Sequence, residues 1–126
     1  MSEIRLGEIP VPLIKYVGLI KNKKPPYYDI ARFLLKEMEF HLAKDGCSEI
    51  SYVINPRILT DEIELLVQNN TKLTTTNVCR TIQAFCLGSK LKPEEDFYVT
   101  NTSGGRRNYH VKVNQRTLNA FSRMLL

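Results

Sequence analysis

Two neighbouring arginines, Arg106 and Arg107, directly follow the pair Gly104-Gly105 in the stretch TNTSGGRRNYH. Arginine presents its N–H donors in a planar fork, which suits phosphate oxygens or a narrow minor groove. The runs DFYVTN and RRNYHVKV on either side alternate apolar and polar residues, and glycine permits the φ angles of a tight turn. The sequence therefore predicts a β-hairpin over residues 96–113 with the arginines at its tip. An ordinary solvated turn is the other explanation.

A second polar set follows one face of the helix that is predicted over residues 74–88. Val78, Ile82 and Phe85 form an apolar stripe there, and threonines precede it as candidate caps. No Asp or Glu occurs between residues 70 and 93, so the opposite face carries no negative charge. Such a face suits a DNA major groove, in which Arg reads guanine and Asn or Gln reads adenine. It is also the ordinary outward face of an amphipathic helix. The residues predicted to face outward are Thr76, Asn77, Arg80, Gln83 and Ala84, with Thr75 at the helix start and Thr81 at the edge.

Lysines flank both elements. Lys72 precedes the helix, Lys90 follows it, and Lys112 belongs to the exposed side of the hairpin, so each is a candidate phosphate contact whose effect weakens with salt. Each is equally a plain surface lysine. The basic run KNKK at residues 21–24 is either an arm along a nucleic-acid backbone or a solubilising connector.

Positive charge is concentrated in particular segments. The net charge is +5 overall, and residues 29–69 carry four Lys/Arg against eight acids, whereas residues 70–126 carry nine against three. Uneven charge of this kind is what a polyanion footprint requires.

Catalysis is not indicated. The two histidines are far apart in sequence, the three cysteines lack metal-ligand spacing, and no Gly-x-Ser-x-Gly or phosphate-binding glycine loop occurs. We therefore expect no enzymatic activity, no metal and no cofactor, and the sequence makes no small-molecule ligand evident. No apolar run of about 18 residues is present, which predicts a cytoplasmic protein that does not enter a membrane.

The elements that position these residues follow from periodicity and from turn residues. Helical spacing runs from Tyr27 to about Lys44, CSEISYVI alternates as a strand, and a second helix starts from a cap at Thr60. A C-terminal helix is predicted over 114–126 with Asn114 as its cap. Residues 1–26 are expected to form an extended arm or extra strand, with Leu13 to Ile20 as one strand, and residues 27–126 one domain.

The order helix, strand, helix, short turn, helix, hairpin over residues 27–113 resembles the winged helix-turn-helix family. The resemblance implies an α+β fold with a small three-stranded antiparallel sheet, to which this chain adds a C-terminal helix. It implies that helix 74–88 is the recognition helix in the major groove of double-stranded DNA and that the hairpin is the wing. The implied function is transcriptional regulation. A small protein of this layout looks similar to regulators from archaea and their viruses. If the protein is viral, it is expected in the host cytoplasm.

Two alternatives remain at this stage. The apolar residues of the last helix either pair with a second copy in a homodimer or pack on the chain's own core: Leu118, Phe121, Met124 and Leu125. The whole domain is either a DNA-binding protein or an interaction module that uses its acidic helices or its C-terminal helix as the contact surface.

Overall fold

From residue 27 onward, helices and strands follow one another in the order that the sequence predicts. A computed structural model describes residues 10–66, 74–101 and 107–126, and within these ranges the fold contains five helices and three strands. The predicted α+β class is confirmed. The elements are α1 Val11–Lys21, α2 Tyr27–Asp45, β1 Glu49–Ile54, α3 Pro56–Leu66, α4 Thr75–Gly88, β2 Phe97–Asn101, β3 Arg107–Asn114 and α5 Gln115–Leu125.

Capping residues that can be recognised in the sequence set three of the helix ends. The Thr74 side chain accepts a hydrogen bond from the Asn77 N–H at 3.1 Å and so begins α4. Asn114 and Thr117 form a reciprocal capping box at the start of α5. Gly46 ends α2 with a φ of +68°, a left-handed conformation that favours glycine. The predicted bounds of these three helices are therefore confirmed to within a residue or two.

The predicted cap of α3 at Thr60 is wrong. The helix begins at Pro56, and the Oδ1 atom of Asn55 accepts the N–H groups of Arg57 and Ile58 at 3.0 and 3.1 Å. Asn followed by Pro is itself a good helix start, because Asn caps the free N–H groups and proline needs none. Thr60 is buried one turn later, and its hydroxyl donates to the Pro56 carbonyl at 2.6 Å.

The three strands form one antiparallel sheet in the order β1-β3-β2. Strand β3 lies in the centre, where Val111 is opposite Tyr52 on one side and Phe97 on the other. Tyr109, Val111 and Val113 point from β3 into the core. The predicted hairpin strands are thus present as β2 and β3, while residues 102–106, where the turn is predicted, lie outside the described residues.

The predicted strand from Leu13 to Ile20 is wrong, because residues 11–21 form helix α1. Leu13, Tyr16, Val17 and Ile20 are its buried residues, and their spacing of three and four is the helical period. Pro10 precedes the helix and Pro12 occupies its first turn, where the missing N–H costs nothing. The prolines therefore mark a helix start and do not break a strand.

Helix α5 packs on the chain's own core. Leu118, Phe121 and Met124 are buried, and the ring centroids of Phe121 and of Phe85 in α4 are 4.5 Å apart. Leu125 is partly buried against the same cluster. The structure shows packing within the chain for Leu118, Phe121 and Met124, while pairing with a second copy stays a prediction.

No helix in the described part of the chain combines the length and apolar character that crossing a membrane requires.

Candidate nucleic-acid interface

The N-terminal turn of α4 is open to solvent. Thr74, Thr75 and Thr76 are exposed, and the cap formed by Thr74 leaves other N–H groups of the first turn free of helical partners. Hydroxyl groups beside these N–H groups provide donors for a phosphate oxygen. Thr75, which is predicted at the helix start, and Thr76, which is predicted on the outward face, are therefore both accessible.

One stripe of α4 is covered by α1. Asn77 is half-buried and accepts a hydrogen bond from the Tyr16 hydroxyl at 3.0 Å, while Gly88, three turns later, lies against Val17. Thr81 and Ala84 lie between these contacts on the same helical stripe, and both have exposed fractions of 0%. The prediction that Ala84 faces outward with Thr81 at the edge of that face is therefore wrong.

The cause is the helix that the sequence did not predict. With α1 taken as an arm or strand, α4 has only one apolar face to bury, formed by Val78, Ile82 and Phe85. In the structure α4 packs on the core with that face and receives α1 on the adjacent one. Thr81 loses no hydrogen bond in the process, since its hydroxyl donates to the Asn77 carbonyl at 2.7 Å.

The face that remains accessible is narrow. Thr76 and Arg80 are exposed and four residues apart, and Gln83 and Leu87 continue the same stripe half-buried. Arg80 is therefore the central accessible group on this side of α4. Of the predicted base-reading residues, Arg80 and Gln83 retain access, whereas Asn77 is already engaged by Tyr16.

Tyr109 connects this stripe to the hairpin. The Gln83 amide donates to the Tyr109 hydroxyl at 2.8 Å, and Arg107 lies near enough to that hydroxyl to affect its pKa. Burial raises the pKa of Tyr109 above its ordinary value and the neighbouring Cys79 raises it further, while Gln83 and Arg107 oppose that rise. Arg107 is thus brought beside Gln83, one turn of helix from Arg80.

Sequence reasoning missed Tyr109 as part of this site, although the signal was present. Residues 107, 109, 111 and 113 share one face of β3 by alternation, and Val111 and Val113 face the helices. Arg107 therefore had to point toward the helix side of the sheet as well. The same alternation places Lys112 and His110 on the opposite face.

The remaining predicted residues do not join this cluster. Lys112 is half-buried at the base of the hairpin, where its N–H donates to the Asp96 carbonyl at 2.7 Å. Lys90 is exposed just beyond the C-terminal end of α4, a helix length of about 21 Å from Thr75. Lys72 and Arg106, with the glycines 104 and 105, lie outside the described residues.

Charge favours an anionic partner at this cluster. Helix α4 and strands β2 and β3 contain no Asp or Glu, and no acid follows Asp96 to the end of the chain. Asp96 itself is buried and bound by Arg116 through two hydrogen bonds of 2.6 and 3.3 Å. The elements that carry Arg80 and Arg107 therefore contribute no carboxylate that would repel an anionic partner.

No metal site is evident in the part of the chain that the structure describes, where no three His, Cys, Asp or Glu side chains are grouped to hold an ion. Models of known protein families, curated proteins and solved structures were compared with the chain, and none of them matches it.

Proposed function

We propose that this protein binds double-stranded DNA as a winged helix-turn-helix domain and acts as a transcriptional regulator. In this assignment α3 and α4 are the helix-turn-helix pair, α4 is the recognition helix, and β2 with β3 is the wing. Element order and sheet topology support the assignment. Helix α1 and helix α5 are then additions that pack on the core of the domain.

The observation that carries the proposal is the convergence of Arg80, Gln83 and Arg107. Two separate elements, α4 and β3, supply these side chains; Gln83 binds the Tyr109 hydroxyl, and Arg107 lies near the same hydroxyl. A recognition helix must enter the groove while the wing contacts the adjacent backbone. Polar side chains on α4 and on the first residue of β3 are suited to that arrangement.

The accessible groups suggest a division of roles. Arg80 is free to bind the O6 and N7 atoms of guanine, and Thr75 and Thr76 are suited to a phosphate at the start of the helix. Gln83 gives one amide donor to Tyr109 and keeps its carbonyl oxygen and second N–H for a base edge. Arg107 is suited to a backbone phosphate beside the groove.

Fluorescence anisotropy of a labelled mixed-sequence duplex tests the proposal when the salt concentration is varied. For the unaltered protein, log K should fall linearly with log salt, at a slope of roughly −0.9 per neutralised phosphate. The double variant Arg80→Ala, Arg107→Ala should show weaker binding and a slope shallower by up to about two. The matched control is Arg32→Ala, Lys36→Ala, which removes two exposed charges from α2 and should leave the slope unchanged.

Two results would contradict the proposal. One is the absence of duplex binding even at low salt, and the other is an equal loss in both double variants, which would mean that net charge alone drives the interaction. Enrichment of a preferred sequence from a random duplex pool would show base reading. Arg80→Ala should then relax the preference at one position, at a cost of about 1–3 kcal/mol.

For the alternative function, an interaction module, burial of Leu118, Phe121 and Met124 makes α5 the less favoured contact surface. The acidic residues of α2 and α3 remain the other. Failure of the duplex titration would direct the search to a basic protein partner for these helices.

A further inference from the structure

A cavity of about 480 Å³ lies where the C-terminal ends of α1 and α4 meet α5. About half of its lining is apolar, and this apolar floor includes Leu91, Ala120 and Met124. Among the described residues that line it, none is acidic, and four are basic. These four come from the end of α1, the turn after α4, and the first and last turns of α5: Lys21, Lys90, Arg116 and Arg123.

The orientation of Arg116 is set before any ligand arrives. Its guanidinium donates to both carboxylate oxygens of Asp96, and Asp96 is buried and accepts the Lys92 N–H at 3.0 Å as well. Two of the five N–H donors of arginine are used in this pair, which leaves donors for a ligand. Because Asp96 neutralises Arg116, the excess positive charge of the cavity comes from Lys21, Lys90 and Arg123.

Helix capping does not explain why these cations gather. Basic side chains often lie at helix C-terminal ends because they bind the free carbonyls there. Here backbone N–H groups bind those carbonyls: Lys90 donates to Leu87 and Leu91 donates to Cys86 at the end of α4. At the end of α1, the N–H groups of residues 22 to 24 perform the same function. Lys21 and Lys90 are therefore not needed as caps of α1 and α4.

We propose that this cavity binds a small ligand that carries two or more phosphate groups on an apolar or aromatic body, such as a nucleoside diphosphate. Gathering like charges is unfavourable unless an anion offsets their repulsion, and phosphate is the anion that several Lys and Arg side chains hold best. The volume lies within the range of small-molecule sites. The apolar floor provides a surface for the remainder of the ligand. Such a ligand would bridge α1, α4 and α5.

Isothermal titration calorimetry and thermal unfolding of the full chain test the proposal with three probes: ADP, inorganic pyrophosphate and adenosine. ADP should bind and raise Tm as its concentration rises, while adenosine should not, because it lacks the phosphates. Pyrophosphate binding as tightly as ADP would show that the cations dominate; weaker binding of pyrophosphate would show that the apolar floor contributes. Either result supports the site.

The variant that tests the location is Lys21→Gln, Arg123→Gln, in which both altered side chains are exposed and neither makes the ion pair with Asp96. It should weaken ADP binding by about tenfold or more, since two charge-assisted contacts are removed. The matched control is Lys15→Gln, Arg57→Gln, which removes the same charges from exposed positions outside the cavity. The control should bind ADP as the unaltered protein does.

Three results would overturn the proposal. They are no binding of ADP or pyrophosphate at millimolar concentration, adenosine binding as tight as that of ADP, and equal loss in the cavity and control variants. A fourth concerns DNA: if the cavity variant loses duplex binding and Arg80→Ala, Arg107→Ala does not, the cavity is a DNA backbone contact. Because the ADP titration contains no DNA, this proposal and the proposed function fail separately.

Discussion

Replacement of Arg116 by alanine should destabilise the protein at neutral pH, because the buried carboxylate of Asp96 then loses its charged partner. The Asp96 side chain is 3% exposed, whereas that of Arg116 is 61% exposed. Arg116→Ala leaves a buried carboxylate with the Lys92 N–H as its remaining partner among the described residues. Water readily solvates an exposed guanidinium but not this carboxylate. The loss of stability therefore comes from the unsolvated Asp96 carboxylate.

The expected loss is about 1–3 kcal/mol. Hydrogen bonds to charged groups contribute about 1.5–3 kcal/mol each, but only the 2.6 Å bond has strong geometry and the other measures 3.3 Å. Hydration of the exposed arginine in competition with Asp96 offsets part of that sum. For a domain of this size the loss corresponds to a fall in Tm of roughly 4–12 °C.

The effect should depend on pH with a definite sign. The hydrogen bond from Arg116 lowers the pKa of Asp96, although burial acts in the opposite direction. A carboxyl whose pKa is lowered on folding contributes stability above its ordinary value of about 3.9, and that contribution is lost as pH falls through the folded value. The gap in stability between the unaltered protein and Arg116→Ala should therefore narrow at acid pH.

Urea unfolding followed by circular dichroism at pH 7 and at about pH 3 measures both quantities. Arg123→Ala is the matched control, because Arg123 is exposed on the same helix and its loss should change stability by less than about 0.5 kcal/mol. The reasoning is refuted if Arg116→Ala is as stable as Arg123→Ala at pH 7. A gap of the same size at both pH values would also refute it.

Three further predictions concern the core, a helix cap and the thiols. Phe121→Ala should cost about 3–5 kcal/mol in urea unfolding, because the ring is fully buried, and a loss below 1 kcal/mol would mean that α5 is not part of the core. Asn114→Ala should cost about 1 kcal/mol by the same measurement, since it removes the cap on the Thr117 N–H; no loss would show that water replaces it. A thiol reagent should label exposed Cys47 in the native protein and leave Cys86 unreacted until unfolding, because burial raises the pKa of Cys86 to about 12; mass spectrometry of labelled peptides would expose the opposite order.

Local chemistry explains most of the agreement between sequence and structure. The caps at Thr74 and Asn114 and the glycine stop at Gly46 act through neighbouring backbone groups, so the sequence determines them without reference to the rest of the fold. The alternation in β3 likewise reflects one buried face and one half-buried face of the strand, whereas in β2 only Phe97 is buried and Val99 is exposed. Even the error at Thr60 was local, since Asn55-Pro56 carries the correct helix start.

The candidate interface could be predicted only in part. That α4 carries basic, amide and hydroxyl groups without acids is a property of the sequence alone, as is the presence of Arg107 at the start of β3. Which of those groups reach solvent is not. The accessible stripe of Arg80 and Gln83 depends on what covers the neighbouring stripe, and the contact with Tyr109 joins residues that are far apart in the chain.

By itself the sequence determined the periods, the caps, the hairpin and the uneven charge, because each of these arises within a few consecutive residues. Only the tertiary structure decided which faces of the helices are buried and which are accessible. Thr81, Ala84 and Gly88 are small, so α1 can approach α4 closely along them, and the burial gained in that approach turns a stripe that looks outward into a helix–helix contact. The same packing brings the end of α1 to α5 and so assembles the basic cavity from residues that no sequence motif connects.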